Sequence, residues 1–200
     1  MNSIFLMSNQ LINQVLKLTN NERAEAGLEP LKLNNKLASA ADEHSNSMAE
    51  DDFFSHTGID GLNIGDRVKN KGYQYQTVGE NSAAGYSTAS EVVKAWMNSP
   101  GHRANILNPN YTEIGIGYEF LQEDIGSVNY NHYWTQVFGN SLNKNSVDNS
   151  IDGSVDNTIL GTPDDDVLKG TRGQDYLGFA EKVTSKIHNN HYCLKDKFFC

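Results

Sequence analysis

Three short runs hold the residues best suited to chemistry: Phe53-Phe54-Ser55-His56, Gly79-Glu80-Asn81 and Ser99-Pro100-Gly101-His102-Arg103. An imidazole and a carboxylate meeting in one cleft, residue types that His56 and Glu80 supply, are ordinary zinc ligands. The same pair also serves as a general base with its orienting partner. Glu80 has a plainer use too, cross-linking loops through backbone N–H groups while His56 hydrogen-bonds a neighbour. His102 follows a sharp turn at the start of a predicted helix. There it either faces the same cleft or closes the turn while Arg103 pairs with a carboxylate such as Glu113. With both imidazoles in the cleft, His56 and His102 could hold an ion while Glu80 activates a water on it, the outline of a metal-assisted hydrolase.

Other nucleophiles are poorly provided. No Gly-x-Ser-x-Gly elbow occurs, and Cys193 and Cys200 both fall in the last eight residues, so serine and thiol hydrolysis are unsupported. The folded part therefore has no disulfide framework and must hold by packing. His44 stands on the apolar stripe of a predicted helix, the usual place of a satisfied core histidine. His132 has a weaker claim, and His188, His191 and Cys193 lack the second ordered pair that tetrahedral closure needs. Asn105 and Gln136 read as structural hydrogen-bonders rather than reactive groups.

Taken in order, the His56 run, the Glu80 run, Ala95-Trp96-Met97-Asn98 through Leu107, and Tyr133-Trp134-Thr135-Gln136-Val137-Phe138-Gly139 resemble a bacterial CAP domain. That is the SCP fold of cysteine-rich secretory proteins, antigen 5 and plant pathogenesis-related proteins. The resemblance covers residues 8–140. It implies an α+β protein, a three-layer α-β-α sandwich with a short antiparallel sheet. It also implies a cleft lined by a His matching His56, a Glu matching Glu80, a second Glu and a second His. Tyr133 stands where the second His would, and a phenol with a pKa near 10 suits hydrogen-bond donation better than holding zinc. Trp96-Met97-Asn98-Ser99 offers no second Glu, so the implied four-residue site is incomplete. The cleft-lining set is then His56, Glu80, His102 and Tyr133, with zinc on His56, His102 and Glu80 as the expected metal. The family's eukaryotic members are usually stapled by disulfides, so their absence fits a bacterial branch.

The elements that must carry these residues follow from periodicity. Leu11, Ile12, Val15, Leu18 and Ala26 recur at helical spacing, with Ser8 or Asn9 as cap and Gly27 as stop. Asn34 or Asn35 caps a second helix whose Leu37, Ala40, Ala41, His44 and Met48 share one face. Thr88-Ala89-Ser90-Glu91 has capping-box spacing ahead of Val92, Val93 and Trp96, and Ser99-Pro100-Gly101 ends that third helix. Residues 111–120 and 132–138 alternate as two strands, joined by a polar loop over 121–131. Helices on a short sheet make a layered α+β domain.

Composition sets the outer bounds. Twenty-five Asp and Glu against sixteen Lys and Arg give a formal charge of −9, which disfavours nucleic acid as a partner. No apolar run approaches a membrane-spanning length of roughly 18–20 residues. A basic leader with an apolar stretch and a small-residue cleavage site is not legible, so export without a cleavable signal peptide is expected. The chain divides into an N-terminal extension at 1–7, the CAP-like domain at 8–140 and a low-complexity C-terminal part, which comprises a Ser/Asn/Asp-rich linker at 141–157, a repeat pair at 158–178 and an unassigned tail, expected to be disordered, at 179–200. Within the pair, the segments starting at Gly161 and Gly170 superimpose at an interval of nine residues. The register resembles the calcium-binding RTX nonapeptide, with Asp166 and Asp175 as the implied calcium ligands. Two copies fall short of the roughly three that a stable stack needs.

The expected function is an extracellular binding module whose cleft receives a small apolar or peptide-like ligand, without organic cofactor and without a need for catalysis. The alternatives are the metal-assisted hydrolase, with Glu80 as general base, and a calcium-dependent surface protein acting through the repeats.

Overall fold

The computed structural model describes residues 2–142 together with 168 and 169. The chain runs α1 (Asn2–Glu25), β1 (Lys32–Leu33), α2 (Asn35–Glu50), α3 (Ile64–Asn70), β2 (Tyr75–Ala84), α4 (Ala89–Asn98), α5 (Pro100–Ile106), β3 (Glu113–Phe120), β4 (His132–Ser141) and β5 (Leu168–Lys169). The sheet order is β1-β3-β4-β2-β5. Its centre, β3-β4-β2, is antiparallel, and each edge carries a two-residue parallel strand.

Period-two alternation sorts the sheet into two faces. On one face Val78 and Val137 join Leu37, Ala40, Ala41, Ile64 and Val68 of α2 and α3 in one apolar cluster. On the other, Ile114, Ile116, Trp134 and Phe138 pack against Val15, Val92, Trp96 and Ile106 of α1, α4 and α5. The expected α-β-α sandwich is what the chain forms.

Two glycines let the first layer close. A side chain at Gly115 would run into the α2 backbone at Leu37, and one at Gly117 into the backbone at Ala41. With hydrogen in place of Cβ at both, α2 lies directly on β3. That docking sets the depth of every residue on the inner face of α2, His44 included.

The local signals act as written. Asn34 accepts from the Lys36 and Leu37 amides at the start of α2, and Thr88 and Glu91 form a capping box at the start of α4. A second capping box, Asn63 with Asp66, starts α3, a helix not anticipated from periodicity. Ser99 ends α4, and Pro100 at once opens α5. The first helix begins at Asn2, well before Ser8 or Asn9, so neither of those is its cap. The chain leaves it at Gly27, whose φ of +72 suits glycine. The linker, the repeat pair with Asp166 and Asp175, and the final tail with Cys193 and Cys200 lie outside the described residues, apart from Leu142 and the short β5.

Candidate functional site

β2 places Glu80 on the α2–α3 face, opposite Val137 of β4. Its side chain is 2% exposed, yet it is ringed by donors. Arg67 of α3 donates from Nη2 to Glu80 Oε2 at 2.6 Å, and His56 donates from Nδ1 to Oε1 at 2.7 Å. Ser82 approaches Oε1 at 3.5 Å. From α2, His44 Nε2 lies 3.7 Å from the same oxygen while donating to the Ser55 carbonyl at 3.0 Å. Arg67 Nη1 in turn donates to the His56 and Leu62 carbonyls, at 2.9 and 2.8 Å, and so fastens the loop that carries His56.

The electrostatics follow from this crowding. Burial alone would raise the Glu80 pKa, but His44, Arg67 and the His56 hydrogen bond outweigh it and hold the carboxyl well below the usual range. Burial lowers the His44 pKa despite the carboxylate beside it. Arg67 is then the permanent countercharge of Glu80. Such a pair is worth keeping only when its remaining donors and acceptors are met, as those of Glu80 are here.

The other two expected cleft residues go elsewhere. Neighbours on a strand point to opposite faces, so Asn81 turns away from Glu80 and toward α5. There Asn81 Nδ2 donates to the His102 carbonyl at 3.1 Å and to Gln136 Oε1 at 3.1 Å. Asn105 donates to Asn81 Oδ1 at 2.9 Å and to the Glu80 carbonyl at 3.1 Å, and Gln136 donates to Thr19 Oγ1 at 2.9 Å. His102 is thus held across the sheet from the Glu80 carboxylate, with Nδ1 2.9 Å from Ser99 Oγ, closing the turn between α4 and α5. Glu113, a candidate partner for Arg103, takes hydrogen bonds from Asn34 and Tyr73.

Tyr133 shares the Glu80 face but pairs with Ala84, four residues further along β2, about 13 Å at the strand rise. Its hydroxyl donates to buried Asp124 Oδ2 at 2.6 Å, anchoring the 121–131 loop. Of the four expected cleft residues, the fold brings together His56 and Glu80 only. Arg67 and His44 complete the cluster. Sequence reasoning does not single out Arg67, although its spacing from Ile64 and Val68 on one short amphipathic turn is the signature of an inward-facing arginine.

These residues do not fit the expected zinc ion. Both oxygens of Glu80 are engaged, the Nε2 proton of His44 is committed to Ser55, and His102 is on the far face. Among the described residues no three His, Cys, Asp or Glu side chains group as a metal site.

Beside the cluster lies a cavity of about 250 Å³ between α2 and the 58–71 segment, lined among others by Glu43, His44, Asp60, Arg67, Asn70 and Lys71. Lys71 pairs with Glu43 at 2.8 Å across it. The lining is mostly polar and carries both signs of charge, suited to a zwitterionic or amide-rich ligand rather than a greasy one.

Comparison with known proteins agrees with this architecture. Residues 16–138 match the family described as CAP, the cysteine-rich secretory protein family. The chain is 45% identical over 125 residues to the uncharacterized protein YkwD of Bacillus subtilis, covering 62% of this chain and 45% of that protein. An extracellular protein containing a SCP domain from Bacillus anthracis superposes with a TM-score of 0.58 at 32% identity, over 66% of this chain and 41% of the other. An outer surface protein of Borrelia burgdorferi shares the fold, with a TM-score of 0.56 at 22% identity over 66% of this chain and 91% of that one. The chain spans less than half the length of the B. subtilis and B. anthracis relatives.

Proposed function

This chain belongs to the cysteine-rich secretory protein family, and on that footing we propose that it acts outside the cell as a non-catalytic binding module, taking a small peptide-like ligand in the cavity between α2 and the 58–71 segment. The observation that carries this reading is the state of Glu80. A general base works with a pKa near the operating pH and a free lone pair within reach of water. Glu80 has neither, being buried, held strongly ionised and engaged at both oxygens. Its role is to brace α3 and the His56 loop, which form the wall of the cavity.

The ligand class follows from the lining. Peptide groups present donors, acceptors and often both charges, matching Asn70, the Glu43–Lys71 pair, Asp60 and Arg67. Of the two ligand types expected from sequence, the peptide-like one suits this surface and the apolar one does not. The B. anthracis relative at 32% identity is described as extracellular, which supports the same location here.

The test is an NMR titration of the full chain with the tripeptides Gly-Lys-Gly, Gly-Asp-Gly and Ala-Ala-Ala. Amide shifts that saturate at millimolar peptide and cluster on residues 43–47 and 58–71 are expected. Peptides that shift nothing, or only residues outside this cavity, would refute the reading. Peptide cleavage during the titration, abolished by Glu80→Gln, would establish the hydrolase in its place.

A further inference from the structure

The sheet carries a second pocket, at the end of the β3–β4 ladder and on the face opposite Glu80. Register sets Phe120 against His132 and Tyr118 against Trp134. Their rings pack tilted against each other across the strands, with centroids 4.8 Å apart in the first pair and 4.2 Å in the second. Gln10 and Gln14, one helical turn apart on α1, close the other side, and Ser87 borders the rim. The groove is open to solvent and offers about 350 Å³, Leu11 also lines it, and Phe120 stays 40% exposed.

No lining residue carries a charge at neutral pH. Burial lowers the His132 pKa, so the ring is neutral, while burial pushes the Tyr118 phenol up to about 12. Tyr118 Oη and His132 Nδ1 meet in a hydrogen bond of 2.8 Å, so each ring fixes the other's position in the wall. A chain with a formal charge of −9 thus keeps one concave surface free of charge, built from aromatic rings on one wall and two carboxamides on the other.

We propose that this pocket binds a neutral pyranose ring of a saccharide chain. A pyranose offers an apolar C–H face to stack on an aromatic ring and an equatorial rim of hydroxyls that both donate and accept. Carboxamides also do both, so Gln10 and Gln14 match that rim while Phe120 and His132 match the face. An acyl chain would make no use of the donors and acceptors of either carboxamide. A phosphorylated ligand would meet the negative field of the chain with no cation in the pocket lining to receive it.

The test is calorimetric titration of the full chain with cellotriose, maltotriose and chitotriose, repeated on Phe120→Ala and Gln14→Ala. Phe120 is partly exposed and Gln14 lies on an exposed helical surface where alanine is favourable, so at least the second variant keeps its thermal stability. The expected result is millimolar or tighter binding of at least one trisaccharide, weakened about tenfold in each variant. Amide shifts should fall near residues 10–14, 87 and 118–132 rather than at the Arg67 cavity. Absence of binding by all three sugars, or binding indifferent to both substitutions, overturns the proposal. So does binding of sodium decanoate where the sugars do not bind.

Discussion

Arg67 and Glu80 meet at 2.6 Å in a setting where their side chains are 6% and 2% exposed, and everything else in the candidate site is arranged around that contact. The pair links α3 to the centre of the sheet, and Arg67 continues it to the backbone of the His56 loop. A buried pair of this kind is costly to halve, because the survivor keeps its desolvation cost without its countercharge.

Removing one partner is therefore expected to be severe. Arg67→Met should cost about 3–5 kcal/mol by leaving the Glu80 carboxylate buried and unpaired. Arg67→Met combined with Glu80→Gln should recover part of that loss. Urea denaturation of the parent, Arg67→Met, Glu80→Gln and the double variant checks this, and strictly additive losses would mean that the pair is not coupled.

Acid should destabilise the chain in two stages. The folded pKa of His44 lies below its ordinary 6.5, so the unfolded chain takes up a proton first and stability falls as pH drops through 6.5. The folded pKa of Glu80 is depressed below its ordinary 4.5, so its contribution is complete above that value and is lost as pH falls further below it. Melting temperature followed from neutral pH to below 4.5 should show both limbs, and Glu80→Gln should flatten the more acidic one.

Gly117→Ala should act at a distance. Its methyl group meets the α2 backbone at Ala41, one turn from His44, so α2 must lift off the sheet. Overpacking of this sort costs about 1–3 kcal/mol, and a rigid backbone neighbour puts this site at the upper end. Thermal unfolding measures the cost. A shift in the His44 ring resonances would report that the histidine has moved from Glu80.

Tyr133→Phe should loosen a loop and leave the cluster intact. The substitution deprives Asp124 Oδ2 of its 2.6 Å donor, an effect of about 1–3 kcal/mol for a buried polar group. Hydrogen exchange should quicken over residues 121–131, while the His56 resonances and the pH profile stay as in the parent. A change at His56 would contradict the separation of Tyr133 from Glu80.

Zinc titration should not distinguish the parent from His102→Ala. His102 is across the sheet from His56, so no single ion can engage both with the Glu80 carboxylate. Calorimetric binding lost in both His56→Ala and His102→Ala would require a rearranged site.

Much of the scaffold was legible because it is written in local periodicity. The Asn34 cap, the inward face of α2, the Thr88–Glu91 box, the alternation of β3 and β4 and the polar 121–131 loop all reflect interactions within a few residues of one another. The motif residues His56 and Glu80 are singled out by the family resemblance of their runs, and the fold does bring them together.

Which other side chains meet Glu80 was decided only in three dimensions. Helical spacing places His44 on a buried face, while α3 and its Arg67 are not anticipated from periodicity, and burial in any case does not say what lies opposite. That depends on α2 settling onto Gly115 and Gly117 and on α3 docking beside it. His102 and Tyr133 lie apart from Glu80 for a related reason. The strand's twofold alternation sends Asn81, with the His102 turn, to the opposite face, and the β2–β4 register sets Tyr133 against Ala84 instead of Glu80. Sequence by itself determined the inward faces of α1, α2, α4, β3 and β4, because those are set by short-range geometry. Tertiary structure alone decided the composition of the site, because a buried carboxylate selects its partners by distance in space.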